Sequence, residues 1–186
     1  MKNYTLIAFV MLALVQLFVP LKMILDKEDV LHTGQVFKFK TAPVDPNDPF
    51  RGKYINLRFE ASQFPIRNPD AWTMNQEVFV QLTTDAEGFV RVLDVTPEPP
   101  SSSEPYLKAR ISHVASDALF LEYPFDRYYM EESKAYDAEQ LYRESLSDTL
   151  QTTYALVRIK EGEGVLEDVM VDGVPIRELV KRNVEN

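Results

Sequence analysis

Carboxylates come in close pairs along this chain: Asp45 and Asp48, Glu131 and Glu132, Glu161 and Glu163, Glu167 and Asp168. Two carboxylates facing each other can flank a glycosidic bond or hold Ca²⁺. No Asp/Asn/Gly loop with calcium spacing accompanies them, so the expectation is a solvated acidic surface and no bound metal. A Ser nucleophile with a Lys base is the other chemistry to weigh. Ser62, Ser112 and Ser133 are candidate nucleophiles and Lys53 a candidate base, but no serine sits in a nucleophile motif. His32 and His113 are separated and form no triad. There is no cysteine, which removes disulfides, thiol chemistry and Cys-based zinc sites. The residues therefore predict no catalytic group, no metal and no cofactor.

Two other stretches are more distinctive. One is Asp45-Pro46-Asn47-Asp48-Pro49-Phe50-Arg51-Gly52-Lys53-Tyr54-Ile55-Asn56-Leu57-Arg58-Phe59. Its Asp-Pro steps stiffen an extended approach, and Gly52 permits a close contact where a strand begins. Ile55, Leu57 and Phe59 share one face of that strand, and Tyr54 points to the other. The second stretch is Tyr123-Pro124-Phe125-Asp126-Arg127-Tyr128-Tyr129-Met130-Glu131-Glu132. Aromatics and Arg are enriched at binding hot spots. Tyr123, Phe125, Arg127, Tyr128, Tyr129 and Glu131 are accordingly the candidate partner-binding residues. The structural alternative is that these rings pack a helix onto a sheet.

The elements that position these residues follow from polarity. Tyr4 to Leu21 carries no charge and is flanked by Lys2 and Lys22. As a helix this run spans about 27 Å, close to the hydrocarbon core of a bilayer. A core helix would not sit at the N-terminus between lysines. A cleaved signal would need a small-x-small site, and Phe18-Val19-Pro20-Leu21-Lys22-Met23 offers none. The expectation is an uncleaved anchor in the bilayer through residues 4–21, with the N-terminus inside and the domain outside. Residues 1–27 hold three lysines against Asp26. The total of −9 thus leaves −11 on residues 28–186. Such a domain excludes nucleic acid as main partner and is repelled by anionic headgroups, so it should stand off the surface or be held down by another protein.

Past residue 30 the pattern has mostly period two. Alternation marks strands at 36–40, 52–60, 78–82, 89–95, 107–111, 119–123, 153–160 and 165–171. Turns are signalled at Asp85-Ala86-Glu87-Gly88, Ser116-Asp117, Glu161-Gly162-Glu163-Gly164 and Asp172-Gly173. One helix is predicted over 137–147, with Asp137 and Gln140 as a capping box and Leu141, Tyr142, Ser145 and Leu146 facing inward. A short helix is expected from Pro175. Thr96 to Pro105 is a Pro/Ser-rich surface loop near the middle. At an offset of 76, Phe79-Val80-Gln81-Leu82 echoes Ala155-Leu156-Val157-Arg158, and Glu87-Gly88 echoes Glu163-Gly164. Two related halves, about 34–95 and 105–174, are one expectation from this. The fold class expected is mainly β (α+β), an antiparallel β-sandwich or small barrel with one principal helix, behind an N-terminal transmembrane helix. The domain division expected is an anchor over 1–27 and one β-rich domain over 28–186.

The first stretch resembles the bacterial GDYXXLXY family, named for Gly-Asp-Tyr-x-x-Leu-x-Tyr. Gly52, Tyr54 and Leu57 match; Lys53 stands where the family has Asp, and Phe59 where it has the second Tyr. The segment Tyr123–Glu132 and the closing Val169-Met170-Val171-Asp172-Gly173 are similar to later parts of that family. The resemblance carries no established activity. It implies a companion of a multi-spanning membrane protein. Lys53 and Phe59 remove a catalytic carboxylate and a phenol from the motif, which leaves shape and packing. The expected function is a membrane-anchored accessory or assembly subunit in the bacterial inner membrane, with its domain on the periplasmic side. The alternatives are a signal-peptidase-like envelope hydrolase and a small-ligand binding domain.

Overall fold

The computed structural model describes residues 2–42, 54–101, 104–129, 138, 140–142, 145 and 152–184. Asp45, Asp48, Gly52, Lys53, Glu131, Glu132, Ser133, Asp137 and Leu146 lie outside the described residues. The first element is a helix, α1, Lys2–Thr33. It is long and apolar enough to cross a membrane, and its 18-residue apolar window is not covered by the rest of the chain. Leu6, Phe9, Leu17 and Phe18 are all more than 60% exposed, so this run is not covered by the described residues.

Only Gly34 separates α1 from the first strand, β1, Gln35–Lys40. Its amide closes the helix on the Val30 carbonyl at 2.8 Å. A Cβ at position 34 would collide with that carbonyl and crowd the Ile159 backbone. The chain can turn from helix into sheet this tightly only because a glycine stands there.

Beyond it the chain is mainly antiparallel β-sheet. Four strands run β1-β9-β10-β11, with β9 Thr153–Lys160, β10 Glu163–Val171 and β11 Val174–Pro175. Five more run β3-β7-β6-β4-β5, with β3 Gln63–Pro65, β4 Glu77–Thr84, β5 Val90–Thr96, β6 Tyr106–Val114 and β7 Ala118–Glu122. Single bridges Lys38↔Phe89 and Leu107↔Gly162 join the two sheets at both sides, giving a nearly closed barrel. The period-two pattern explains the filling. Val78, Val80 and Leu82 of β4, Leu107 and Ile111 of β6, and Ala155, Val157 and Ile159 of β9 point inward and are buried.

The predicted helix is present at its described positions: 138, 140–142 and 145 are helical, with Ala138, Tyr142 and Ser145 buried. Ser145 Oγ accepts from Thr153 Oγ1 at 2.9 Å, which ties this helix to β9. The C-terminal helix, α2, Ile176–Val184, begins directly after Pro175 and buries Ile176 and Val180.

The offset of 76 does not survive in the structure. It aligns buried Val80 with half-buried Leu156, placing opposite faces in register. A different match holds. In the β4–β5 hairpin the register slips between Gln81 and Leu82, opposite Asp94 and Val92. In the β9–β10 hairpin it slips between Leu156 and Val157, opposite Asp168 and Leu166. Leu93 and Glu167 are the extra bulge residues, and each is followed by an Asp whose carboxylate accepts from the next amide, at 2.8 and 2.9 Å. The pairing also crosses between the halves: β6 lies on β4, and β1 lies on β9.

Candidate functional site

The two stretches singled out in the sequence meet each other. Residues Tyr54–Asn56 form β2, residues Arg127–Tyr129 form β8, and the two pair antiparallel as a separate ribbon. The Leu57 amide extends the pairing to the Asp126 carbonyl at 2.7 Å. The strand expected over 52–60 is therefore shorter: it ends at Asn56, Phe59 bridges to Thr41, and Glu60–Ser62 turns as one 3₁₀ unit.

Behind the ribbon the motif is spent on packing. Leu57 and Phe59 are buried. Phe39 of β1 stands edge-on to Phe59, Tyr123 and Phe125, at 5.5, 5.6 and 5.2 Å between ring centres. Tyr123 and Phe125 stack at 5.4 Å, and the Tyr123 hydroxyl donates to the Ala61 carbonyl. Burial pushes the Tyr123 phenol up, so it stays a neutral donor. A phenylalanine suits position 59 because its surroundings are rings.

Tyr128 is held by a second device. Its hydroxyl donates to Asp168 Oδ1 at 2.7 Å, and Arg177 of α2 reaches Asp168 Oδ2 at 2.8 Å. The Asp168 side chain is 4% exposed and that of Arg177 61%, so an exposed guanidinium covers a buried carboxylate. Desolvation, then the hydrogen bond and charge of Asp168, raise the Tyr128 phenol. The bulge at Glu167 aims Asp168 inward, whereas its counterpart Asp94 is exposed.

The candidate binding residues thus divide. Tyr123, Phe125 and Tyr128 belong to the core and present no ring to a partner. Arg127 and Tyr129 are exposed, Tyr129 to 65%. Tyr54 lies on β2, and Glu131, Gly52 and Lys53 fall outside the described residues. The alternation of β8 accounts for the division: Tyr128 points in, and its neighbours point out.

Beside the ribbon runs a groove of about 670 Å³. Pro124, Asp126 and Arg127 line it together with Phe79 and the polar positions of β4, β6 and β7. Across its floor Glu77, Arg110 and Glu122 stand directly opposite one another on β4, β6 and β7. Arg127 lies 3.7 Å from Asp126. Burial raises the Asp126 carboxyl, Glu122 adds to this and Arg127 opposes it. Sequence reasoning missed this floor, although Glu77, Lys108, Arg110 and Glu122 are the polar positions of otherwise apolar alternating strands. Of the hydrolase candidates, the described Ser62 and Ser112 do not line this groove. Ser112 Oγ donates to the Phe120 carbonyl at 3.0 Å, and His113 lies against the Phe120 ring.

Lys108 and Glu163 at the end of this groove also line a second cavity, of about 630 Å³, against α1. Glu163 takes Lys27 of α1 at 2.8 Å and Lys108 of β6 at 2.9 Å. Lys160 takes Asp29 at 2.6 Å and Thr33 at 2.9 Å. The two lysine hydrogen bonds hold the Glu163 carboxyl below the usual range. The ribbon, the groove and the foot of α1 form one connected surface.

A family model described as GDYXXLXY protein matches residues 16–169. The chain belongs to the GDYXXLXY family. The match runs from inside α1 through the ribbon to the bulge at Asp168–Val169. No curated protein and no solved structure matches the chain.

Proposed function

We propose that this GDYXXLXY protein is a membrane-anchored accessory or assembly subunit. In this reading α1 crosses the bacterial inner membrane, the β-barrel stands on the periplasmic side, and a multi-spanning membrane protein is received along the ribbon and its groove. The observation that carries the reading is the joining of the two family-like stretches into one ribbon, whose groove leads to the foot of α1. A partner bound there would lie beside the bilayer, where loops of another membrane protein run. Exposed Tyr129 and Arg127 supply the residue types that anchor interfaces.

The reading is tested by gentle solubilisation of membranes and affinity capture of the full chain. Recovery of a multi-spanning protein with wild type, and its loss with Tyr129→Ala at unchanged thermal stability, is expected. Equal recovery with both chains would remove the ribbon as the contact. A reporter fused to the C-terminus should be active only outside the cytoplasm; activity inside would overturn the orientation.

A further inference from the structure

The uncharged run of α1 ends at Leu21, and the cavity at its foot is lined from Met23 to Val30. At helical rise Met23 lies about 3 Å and Lys27 about 9 Å beyond that end, while the headgroup layer is roughly 5–8 Å deep. If α1 is the anchor, as proposed above, the mouth of this cavity sits in the headgroup layer. Its walls bring together Asp26, Lys27, Lys108, Lys160, Glu161 and Glu163.

The charges are not evenly spread. Lys27 and Lys108 share one carboxylate, Glu163, so that trio carries a net positive charge. Lys160 is neutralised by Asp29, and Asp26 by Lys22. Glu161, at the exposed tip of the β9–β10 turn, lies in no close ion pair among the described residues but acts on Lys160 at longer range, so Lys160 with Asp29 and Glu161 leaves a net negative charge. Backbone geometry fixes that tip: Glu161 has φ 50° and Gly162 φ 82°. The Gly162 carbonyl also accepts from the Lys108 amide at 2.9 Å. A positive end and a negative end, held apart by a rigid hairpin, complement a phosphate joined to a primary ammonium.

We propose that this cavity binds the headgroup of one phosphatidylethanolamine molecule of the surrounding leaflet. The phosphate lies against Lys27 and Lys108, and the ammonium donates to Glu161. The acyl chains lie along the apolar face of α1 below Met23. A zwitterionic lipid reconciles an acidic domain with a close approach to the membrane, because it presents no net charge to repel.

The test uses the full chain in mild detergent, with phosphatidylethanolamine, phosphatidylcholine and phosphatidylglycerol of one acyl composition, read by native mass spectrometry. One phosphatidylethanolamine should be retained, with about tenfold preference over each of the others. Lys108→Gln should weaken phosphatidylethanolamine and phosphatidylglycerol alike. Glu161→Gln should abolish only the preference for the primary amine. Equal retention of the three lipids by wild type, or no change in either variant, would overturn the proposal. Displacement of the lipid by soluble phosphoethanolamine at comparable concentration would overturn the membrane as the source of the ligand. Alkaline extraction of membranes tests the anchor separately. Release of the chain would overturn both readings of α1, whereas firm retention without lipid preference would overturn the headgroup site alone.

Discussion

Tyr128→Phe removes one oxygen from the junction between the ribbon and the barrel. The ring keeps its place, while Asp168 loses a donor at 2.7 Å and keeps Arg177 and the Val169 amide. A hydrogen bond to a charged group contributes roughly 1.5–3 kcal/mol. Because two donors remain, the lower part of that range applies, about 1.5–2 kcal/mol. For a domain of some 160 residues this lowers the melting temperature by roughly 3–8 °C. Tyr106→Phe is the control: its ring packs on Phe79, and its hydroxyl has no hydrogen bond among the described residues. It should stay within about 0.5 kcal/mol of wild type. The assay is denaturant unfolding of the single variants and of Tyr128→Phe with Asp168→Asn, giving the coupling between the two side chains. Wild-type stability in Tyr128→Phe, or zero coupling, would refute the claim that Asp168 holds the ribbon. The same geometry means that Tyr128→Ala is a core truncation and tests folding before it tests binding.

Other expectations follow from the same contacts. Gly164→Ala would place a methyl 2.7 Å from the Phe125 ring and 2.9 Å from Leu107, and should cost about 1–3 kcal/mol in urea unfolding. Glu163 has its folded-state pKa lowered by Lys27 and Lys108, so its contribution is present above the ordinary value and lost as pH falls through the lowered one. The stability gap between wild type and Glu163→Gln should therefore close toward acid; a gap independent of pH would contradict the two-lysine contact. Asp126 is shifted the opposite way by burial, so its ionisation opposes folding as pH rises. Asp126→Asn should be relatively more stable at neutral pH than at pH 3, and a thermal melt series showing the reverse would contradict a burial-dominated site.

Much of the fold was legible because alternation is a local signal. Val78, Val80 and Leu82 read as a strand face in the sequence and are a strand face in the barrel. The apolar run of α1, the Asp85–Gly88 turn and the buried stripe at Tyr142 and Ser145 were legible for the same reason. Pairing between distant strands was not. Nothing local says that Tyr54–Asn56 lies on Arg127–Tyr129, or that β1 crosses to β9. The hairpin echo at 76 failed on one residue of parity, since a one-residue shift exchanges the faces of a strand. The aromatic segment stands out in the sequence, but its composition does not say that Tyr128 turns to Asp168 while Tyr129 stays exposed. Alternation sets the two apart, but which one turns inward is fixed by Asp168, aimed by a bulge in a strand forty residues away.

In the proposed function the ribbon surface touches a multi-spanning membrane protein. A photocrosslinking residue placed at Tyr129 of the full chain, activated in intact membranes, tests it most directly. The same probe at Phe120, on the outer face of β7, serves as reference. A discrete crosslink from position 129 to a multi-spanning membrane protein is expected, and none from position 120. Crosslinks from position 129 to lipid alone, or the same products from both positions, would contradict it.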